Sequence, residues 1–470
     1  MRKIVQQAVL LFAFISFFNI ACQKEIKQFP AQDDVASTNK SGEHGHLKQT
    51  KTYSSEVAFK WIDMQLHLFR TNAPFIGGLP PQRIFVYSAI ALYESVVPGM
   101  PSYKTLSGQL TNMPGMPETQ HGYAYHWPTC GNASLAAMTR NFFPNTSAAN
   151  KASIDSLENA LNTAYSNEVN NAIFLRSQDF GKAIAQLIFD WSKTDGAANA
   201  NAPYIPPVGL GIWAPTPPAF APATLPYWGN NRLMVAGSLE GSAQPLPPAY
   251  STDPNSAYYR MVKEVYDISQ SLTPEQIAIG LYYRDNPGYG GGHYISILRQ
   301  VLGHEQPRLD FTAEAIAKMG IALFDAGIGC WKTKYQNNQE RPIKYIRETL
   351  GHPLWNPLFG TPSFPDFPSG HSIISGVFEV TATALFGAHY YFTNHTYDYL
   401  GMTPRSFNSF SDLAKEIGDS RVYAGIHYTY SCVAAREMGK KIGQNILNKL
   451  HFKKDDDDHD YDRHNDHDKD

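Results

Sequence analysis

Residues 365–387 read PDFPSGHSIISGVFEVTATALFG. Two prolines punctuate the start, Ser369, Gly370 and His371 follow, and an apolar, helix-like segment completes the stretch. The pattern predicts a buried helix over 370–387 with those three residues at its mouth. A helix start exposes unpaired backbone N–H groups and carries partial positive charge. Gly370 lets an anion approach the backbone and Ser369 adds a hydroxyl, so the stretch reads as half of an anion site. The simpler reading is a capped helix, because serine is a favoured N-cap.

Two further clusters supply a candidate second half. In KTKYQNNQERPIKYI, Lys334 is followed by Arg341 and Pro342. Proline disfavours helix in the residue before it, so Lys334 should close one helix and Arg341 sit in the turn before the next. In SRVYAGIHY, Arg421 and His427 lie six apart and would diverge on a continuous helix. Gly425 between them predicts a helix end, which lets both converge. Each cluster alone reads equally as surface charge or packed core.

The three clusters in this order, Lys334 to Arg341-Pro342, Pro368-Ser369-Gly370-His371, and Ser420-Arg421 to His427, resemble the three-part signature of a known superfamily. It joins vanadium-dependent haloperoxidases with acid and type 2 phosphatidic acid phosphatases. PPQRIFVYSAIALYESV, YYRDNPGYGGGHY and a Trp/Pro-rich segment resemble the soluble bacterial haloperoxidase branch, over about Trp61 to Leu450.

The resemblance implies a vanadate cofactor, with phosphate able to occupy the same site. Lys334, Arg341 and Arg421 would bind its equatorial oxygens, with Ser369 and the Gly370 amide as neutral donors. His427 would be the one ligand to the metal and His371 the acid–base group. The implied reaction is oxidation of halide by hydrogen peroxide to hypohalous acid, with vanadium remaining at +5. Asp285 is expected to pair with an anion-site arginine, Arg421, and Phe364 to pack in the core, the alternative being that it lines the halide approach. Two alternatives stand beside this one: an acid phosphatase using the same residues, and a non-catalytic surface lipoprotein. The halide, the organic acceptor and a homo-oligomeric state are left open.

The rest of the chain sets the frame. Its 470 residues are 43 % hydrophobic and 17 % charged, ample for a large core, and the net charge of −3 excludes a basic field for nucleic acid. Apolar residues at Val57, Trp61, Met64 and Leu68 keep helical spacing, and PPQRIFVYSAIALYESV repeats the signature. Further helical runs follow near 150–165, 171–193, 257–270, 274–284, 291–303, 311–334, 370–387, 409–424 and 428–450. With no run of alternating strands, the class is all-α and bundle-like. The Pro/aromatic-rich segment from Asn201 to Pro254 predicts an ordered wrapping loop, anchored by Trp213, Phe220 and Trp228.

The opening MRKIVQQAVLLFAFISFFNIAC resembles a bacterial lipoprotein signal. It implies cleavage after Ala21, lipidation of Cys22, and export to the periplasm or cell surface with a membrane anchor. Residues 22–53 read as a polar tether, 54–451 as the catalytic domain and 452–470 as an acidic, disordered tail. From Lys453 on, nine aspartates face four Lys and Arg, so the tail carries −5 and the remainder +2. Cys130, Cys330 and Cys432 show no metal-knuckle spacing; one disulfide among them is compatible with export.

Overall fold

A computed structural model describes residues 48–72, 79–285 and 292–454. The chain divides into Met1–Asn39 and Lys40–Asp470, and every described residue belongs to the second unit. The leader, Cys22 and the acidic tail beyond Lys454 lie outside the described residues.

The described residues form thirteen α-helices and one two-stranded hairpin. The helices are α1 (Glu56–Thr71), α2 (Leu79–Val96), α3 (Trp127–Phe142), α4 (Ala148–Ser166), α5 (Asn171–Ser192), α6 (Ala257–Ser269) and α7 (Pro274–Tyr282). They continue with α8 (His293–Glu305), α9 (Leu309–Asn337), α10 (Pro342–Glu348), α11 (Gly370–Phe386), α12 (Phe410–Tyr423) and α13 (Thr429–Lys449). The all-α expectation holds. Helix starts follow local chemistry: Ser147, Asn170, Ser256 and Ser409 each accept a first-turn amide, and Thr273 with Gln276 forms a capping box ahead of Pro274.

Two helices depart from the sequence reading. In α3, WPTCGNASLAAMTRNF, Pro, Thr, Gly and Asn break the apolar period, yet the helix is buried from Trp127 to Ala136. Burial on all sides overrides propensity there. A Cβ on Gly181 of α5 would lie 2.2 Å from the Cys130 carbonyl, so the two backbones pack in contact. The short α10 starts on Pro342 at its first turn, with Arg341 extended before it (φ −84°, ψ 153°). The hairpin pairs β1 (Phe392–Asn394) with β2 (Arg405–Phe407), antiparallel. Three residues per strand are too few to show alternation.

One continuous core runs through α1–α3, α5, α8, α9 and α11–α13. A smaller aromatic cluster, including Tyr258, Tyr345, Trp355 and Tyr428, packs α6 and α10 around the segment between Glu340 and Ile343. Helices α11 and α13 also pack backbone to backbone. A Cβ on Gly376 would sit 2.2 Å from the Arg436 carbonyl, and one on Gly439 2.1 Å from the Ile373 carbonyl. These reciprocal glycines bring the helix that follows Ser369 against the helix that follows His427.

The folded domain extends past both boundaries read from the sequence. Thr50 is buried and bonds the Val96 carbonyl, so the chain is packed before residue 54. Phe452 is buried, its carbonyl accepts from Lys104, and Lys453 bridges to Tyr103. The three cysteines are free and buried, so no disulfide forms among them. No described helix is long and apolar enough to cross a membrane.

The Pro/aromatic-rich loop is ordered and braces what lies behind the motifs. Ile212 bridges to Gln339, and Trp213 N–H donates to the Asn338 carbonyl at 2.7 Å, tying the loop to the turn between Lys334 and Arg341. Thr224 bonds Ser363 through backbone and hydroxyl, and its carbonyl accepts from Trp331 and Tyr335. Farther along, the buried Asp325 accepts from the Met234 and Val235 amides and the Ser238 hydroxyl. Trp213 and Trp228 are buried, as their role as anchors requires. Phe220 is 62 % exposed and anchors nothing, which corrects that expectation.

Candidate oxyanion site

The three sequence clusters come together. Lys334, in the last turn of α9, is fully buried, and its Nζ donates to the Pro365 and Asp366 carbonyls at 2.8 Å each. Arg341 is also fully buried. Its Nε donates to the Phe364 carbonyl at 2.8 Å and its Nη1 to the Ile426 carbonyl at 2.7 Å. The Lys334 and Arg341 clusters are thus sewn to both strands of chain carrying the other motifs. Phe364 lies under both cations, 5.0 Å from the Arg341 guanidinium and 5.1 Å from Lys334 Nζ, and packs on Trp331.

Gly425 works as its position predicted. It is left-handed (φ 73°), its amide donates to the Val422 carbonyl and the Ile426 amide to the Arg421 carbonyl. That pair of bonds is a Schellman closure of α12. The reversal returns His427 to the side where Arg421 ends its helix. Arg421 donates Nη1 to the Tyr283 carbonyl. Ser369 is the buried N-cap residue of α11, and its hydroxyl accepts from the Ser372 hydroxyl at 3.1 Å rather than from a first-turn amide. A Cβ on Gly370 would meet protein only at ordinary contact, 3.5 Å from Trp331. Packing and backbone conformation therefore do not demand glycine there; an approaching ligand would.

His427 is 2 % exposed. Its Nε2 lies 3.0 Å from Arg341 Nη1 and its Nδ1 2.9 Å from Asp366 Oδ1. Arg341 Nη1 is also 3.4 Å from Nδ1, but its shorter contact is to Nε2; because arginine can only donate and a carboxylate only accept, the lone pair is assigned to Nε2 and the proton to Nδ1, facing Asp366. The Asp366 approach is a close ion contact short of an aligned hydrogen bond. Nε2 is then the lone-pair nitrogen, as a metal ligand must be.

His371 is set differently. Its side chain is 27 % exposed, and its Nε2 lies 2.6 Å from Asp285 Oδ2. Asp285 also accepts from Tyr397 at 2.5 Å and faces His293 Nδ1 at 3.1 Å, while His293 Nε2 meets the Asn394 amide at 2.9 Å. Tyr294 donates to the His371 carbonyl. The expected Asp285–Arg421 pair is not formed: Asp285 pairs with His371 and His293, and Arg421 takes the Tyr283 carbonyl instead. Sequence reasoning missed His293, Tyr397, Asn394 and Asp366. The hairpin supplies Asn394 and leads into Tyr397, so a three-residue strand with no sequence signature positions the Asp285–His371 pair.

Charge follows burial. Burial pulls Lys334 down to about 7 and Arg341 to about 10, and lowers Arg421. Burial, reinforced by Arg341 and Lys334, holds His427 well below the usual imidazole range, hence neutral. His371 is lowered by burial and Arg421, against the pull of Asp285. Burial acts to raise Asp285, but His371 and His293 hold it well below the usual carboxylate range. Asp366 is pushed up to about 6 by burial, with Arg341 and Lys334 opposing.

The fit to a tetrahedral oxyanion rests on the polar atoms left over. Arg341 Nη2 and Arg421 Nε are buried without hydrogen-bond partners. Arg341, Arg421 and the protonated form of Lys334 answer two carboxylates, Asp366 and Asp285. Unspent donors and surplus positive charge around a lone-pair imidazole suit vanadate or phosphate. Among the described residues no group of His, Cys, Asp and Glu could hold a bare metal ion.

Comparison with known proteins agrees with this geometry. The family model of the VCPO second helical-bundle domain matches residues 314–454, which include every motif residue from Lys334 to His427. The structure of a bacterial vanadium-dependent iodoperoxidase superposes with a TM-score of 0.78 at 29 % identity, covering 86 % of this chain and 98 % of that one. The holo form of a bacterial vanadium-dependent chloroperoxidase gives a TM-score of 0.62 at 15 % identity, over 81 % and 94 % of the two chains. An apo-type bacterial vanadium-dependent chloroperoxidase structure gives 0.59 at 14 %, over 78 % and 94 %. The last two show the fold alone. A search of curated proteins found no match.

Proposed function

We propose that this chain, which belongs to the vanadium-dependent haloperoxidase family, oxidises halide with hydrogen peroxide to hypohalous acid on a bound vanadate. The observation that carries the reading is the convergence of unspent Arg341 and Arg421 donors, buried Lys334 and the lone-pair nitrogen of His427. Lys334, Arg341, Arg421, Ser369 and the Gly370 amide would hold the anion, and His427 Nε2 would ligate it. Bound vanadate supplies a Lewis-acidic vanadium(V) centre that makes peroxide oxygen electrophilic.

The chain's own groups do the rest. Fixed guanidinium and ammonium donors stabilise negative charge at the oxyanion without reorganising. Asp285 holds the Nε2 proton of His371, leaving Nδ1 as the atom that accepts and returns a proton. Burial keeps His427 neutral and able to bind. Phe364 covers Lys334 and Arg341 with an apolar face and limits water there.

The test is purified protein assayed with and without orthovanadate, measuring peroxide-dependent oxidation of iodide, bromide and chloride beside phosphate-ester hydrolysis. Vanadate-dependent halide oxidation is expected. Ester hydrolysis without any halide oxidation would place the chain with the phosphatases.

Export with a lipid on Cys22 completes the proposal. Support comes from the positive start, apolar run and Ala21-Cys22 junction of the leader. Mass spectrometry of the mature N-terminus should show an acylated Cys22. A mature chain that starts elsewhere, without acyl mass, would remove the anchor.

A further inference from the structure

The geometry points to Asp366 as the positioning residue of His427: it holds the ring with Nε2 toward the anion site and so sets the preference for vanadate over phosphate. This rests on the haloperoxidase reading and goes beyond it, because Asp366 lies outside the three motifs that carry that reading.

Asp366 is fully buried, and neither carboxylate oxygen has an aligned hydrogen-bond partner. A buried charge in that condition is expensive and needs a reason. Its backbone already performs the local structural work. The amide donates to the Gln339 carbonyl and the carbonyl accepts from Lys334. Any residue could do both, so the carboxylate is not needed to shape the turn. The carboxylate approaches His427 Nδ1 at 2.9 Å and Arg341 Nη1 at 3.7 Å, with the Ser431 hydroxyl and the Tyr428 amide also turned toward it.

A carboxylate behind a ligating imidazole fixes the tautomer, orients the ring and raises the basicity of the other nitrogen. Here that nitrogen is Nε2. The consequence differs for the two anions. Vanadate extends its coordination to accept the Nε2 lone pair. Phosphate at rest is held by charge and hydrogen bonds alone. The negative charge of Asp366 opposes both anions equally, while its hold on His427 favours only vanadate. Asp366 therefore separates two anions of nearly the same shape.

Asp366→Asn removes the charge at constant size, and Asp366→Ala removes the group. Each variant and the wild type would be titrated calorimetrically with orthovanadate and with inorganic phosphate, after a thermal melt to confirm folding. Wild type is expected to bind vanadate more tightly than phosphate. In both variants vanadate affinity should fall by about 10-fold, the low end for lost partners of metal-ligating histidines. Phosphate affinity should hold or rise, since a like charge has gone. A merely structural role would weaken both anions together. Parallel shifts, or an unchanged ratio in whichever variant folds, would overturn the assignment of Asp366 and leave the family reading intact. A wild type that binds phosphate but no vanadate would instead overturn the family reading, and this assignment with it.

Discussion

His371→Ala is expected to lower halide turnover by about 10²–10⁴-fold, the usual cost of a lost acid–base group, while vanadate still binds. The structure places His371 outside the set of cations that attract the anion. Its ring is 27 % exposed and committed through Nε2 to Asp285, not to any arginine. Removing it deletes a proton carrier and leaves Lys334, Arg341, Arg421 and His427 in place. His427→Ala should fail the other way: the lone-pair nitrogen goes, and the three cations retain vanadate only loosely. Both variants should stay folded, as the imidazoles contact site groups rather than filling the core. Vanadate titration, peroxide-dependent halide oxidation and a melt on each variant make the comparison. Lost binding in His371→Ala, with binding and activity kept in His427→Ala, would reverse the two roles.

Arg341→Lys is expected to weaken vanadate binding by about 10–100-fold although the charge is kept. The guanidinium of Arg341 is a bracket with four assignments. Nε holds the Phe364 carbonyl, Nη1 holds the Ile426 carbonyl and faces His427 Nε2, and Nη2 is left for the anion. An ammonium presents its donors from one point and cannot reach opposite directions at once. A charge-assisted hydrogen bond contributes about 1.5–3 kcal/mol, and about 1.4 kcal/mol is tenfold in affinity, which sets the range. The substitution also loosens Phe364 from Ile426, so the melting temperature should fall with the affinity. Equilibrium titration with vanadate reads the first effect and calorimetric melting the second. Unchanged affinity would place Arg341 among the structural cations and leave the anion to Lys334 and Arg421.

Much of this was legible in the sequence because the signals are local. The prolines at 342, 365 and 368, the glycines at 370 and 425, and the periodic apolar faces of α1, α2, α5 and α9 each act within a few residues. Helix ends at Asn337 and Tyr423 therefore fall close to where the sequence places them, with Lys334 and Arg421 in the last turns. The order of the three motifs named the residue set, and contacts from Lys334 and Arg341 tie the three segments together around Asp366 and His427.

What only the tertiary structure decided is who faces whom. Asp285 is eight residues from His293 in the chain but takes its decisive partner, His371, from a distant helix mouth. No periodicity could choose between His371 and Arg421. Asp366 sits inside the stretch that announces the site, yet its contact with His427 joins the segments that lead into α11 and α13, two helices that Gly376 and Gly439 let pack in contact. The helix α3 and the hairpin that carries Asn394 are stabilised by burial against other elements, not by their own propensity. Sequence by itself determined the helices and the chemical types at their ends, because those depend on neighbours in the chain. Tertiary packing decided which carboxylate each imidazole meets, Asp366 for His427 and Asp285 for His371, because those contacts join segments brought together only by the packing of the helices.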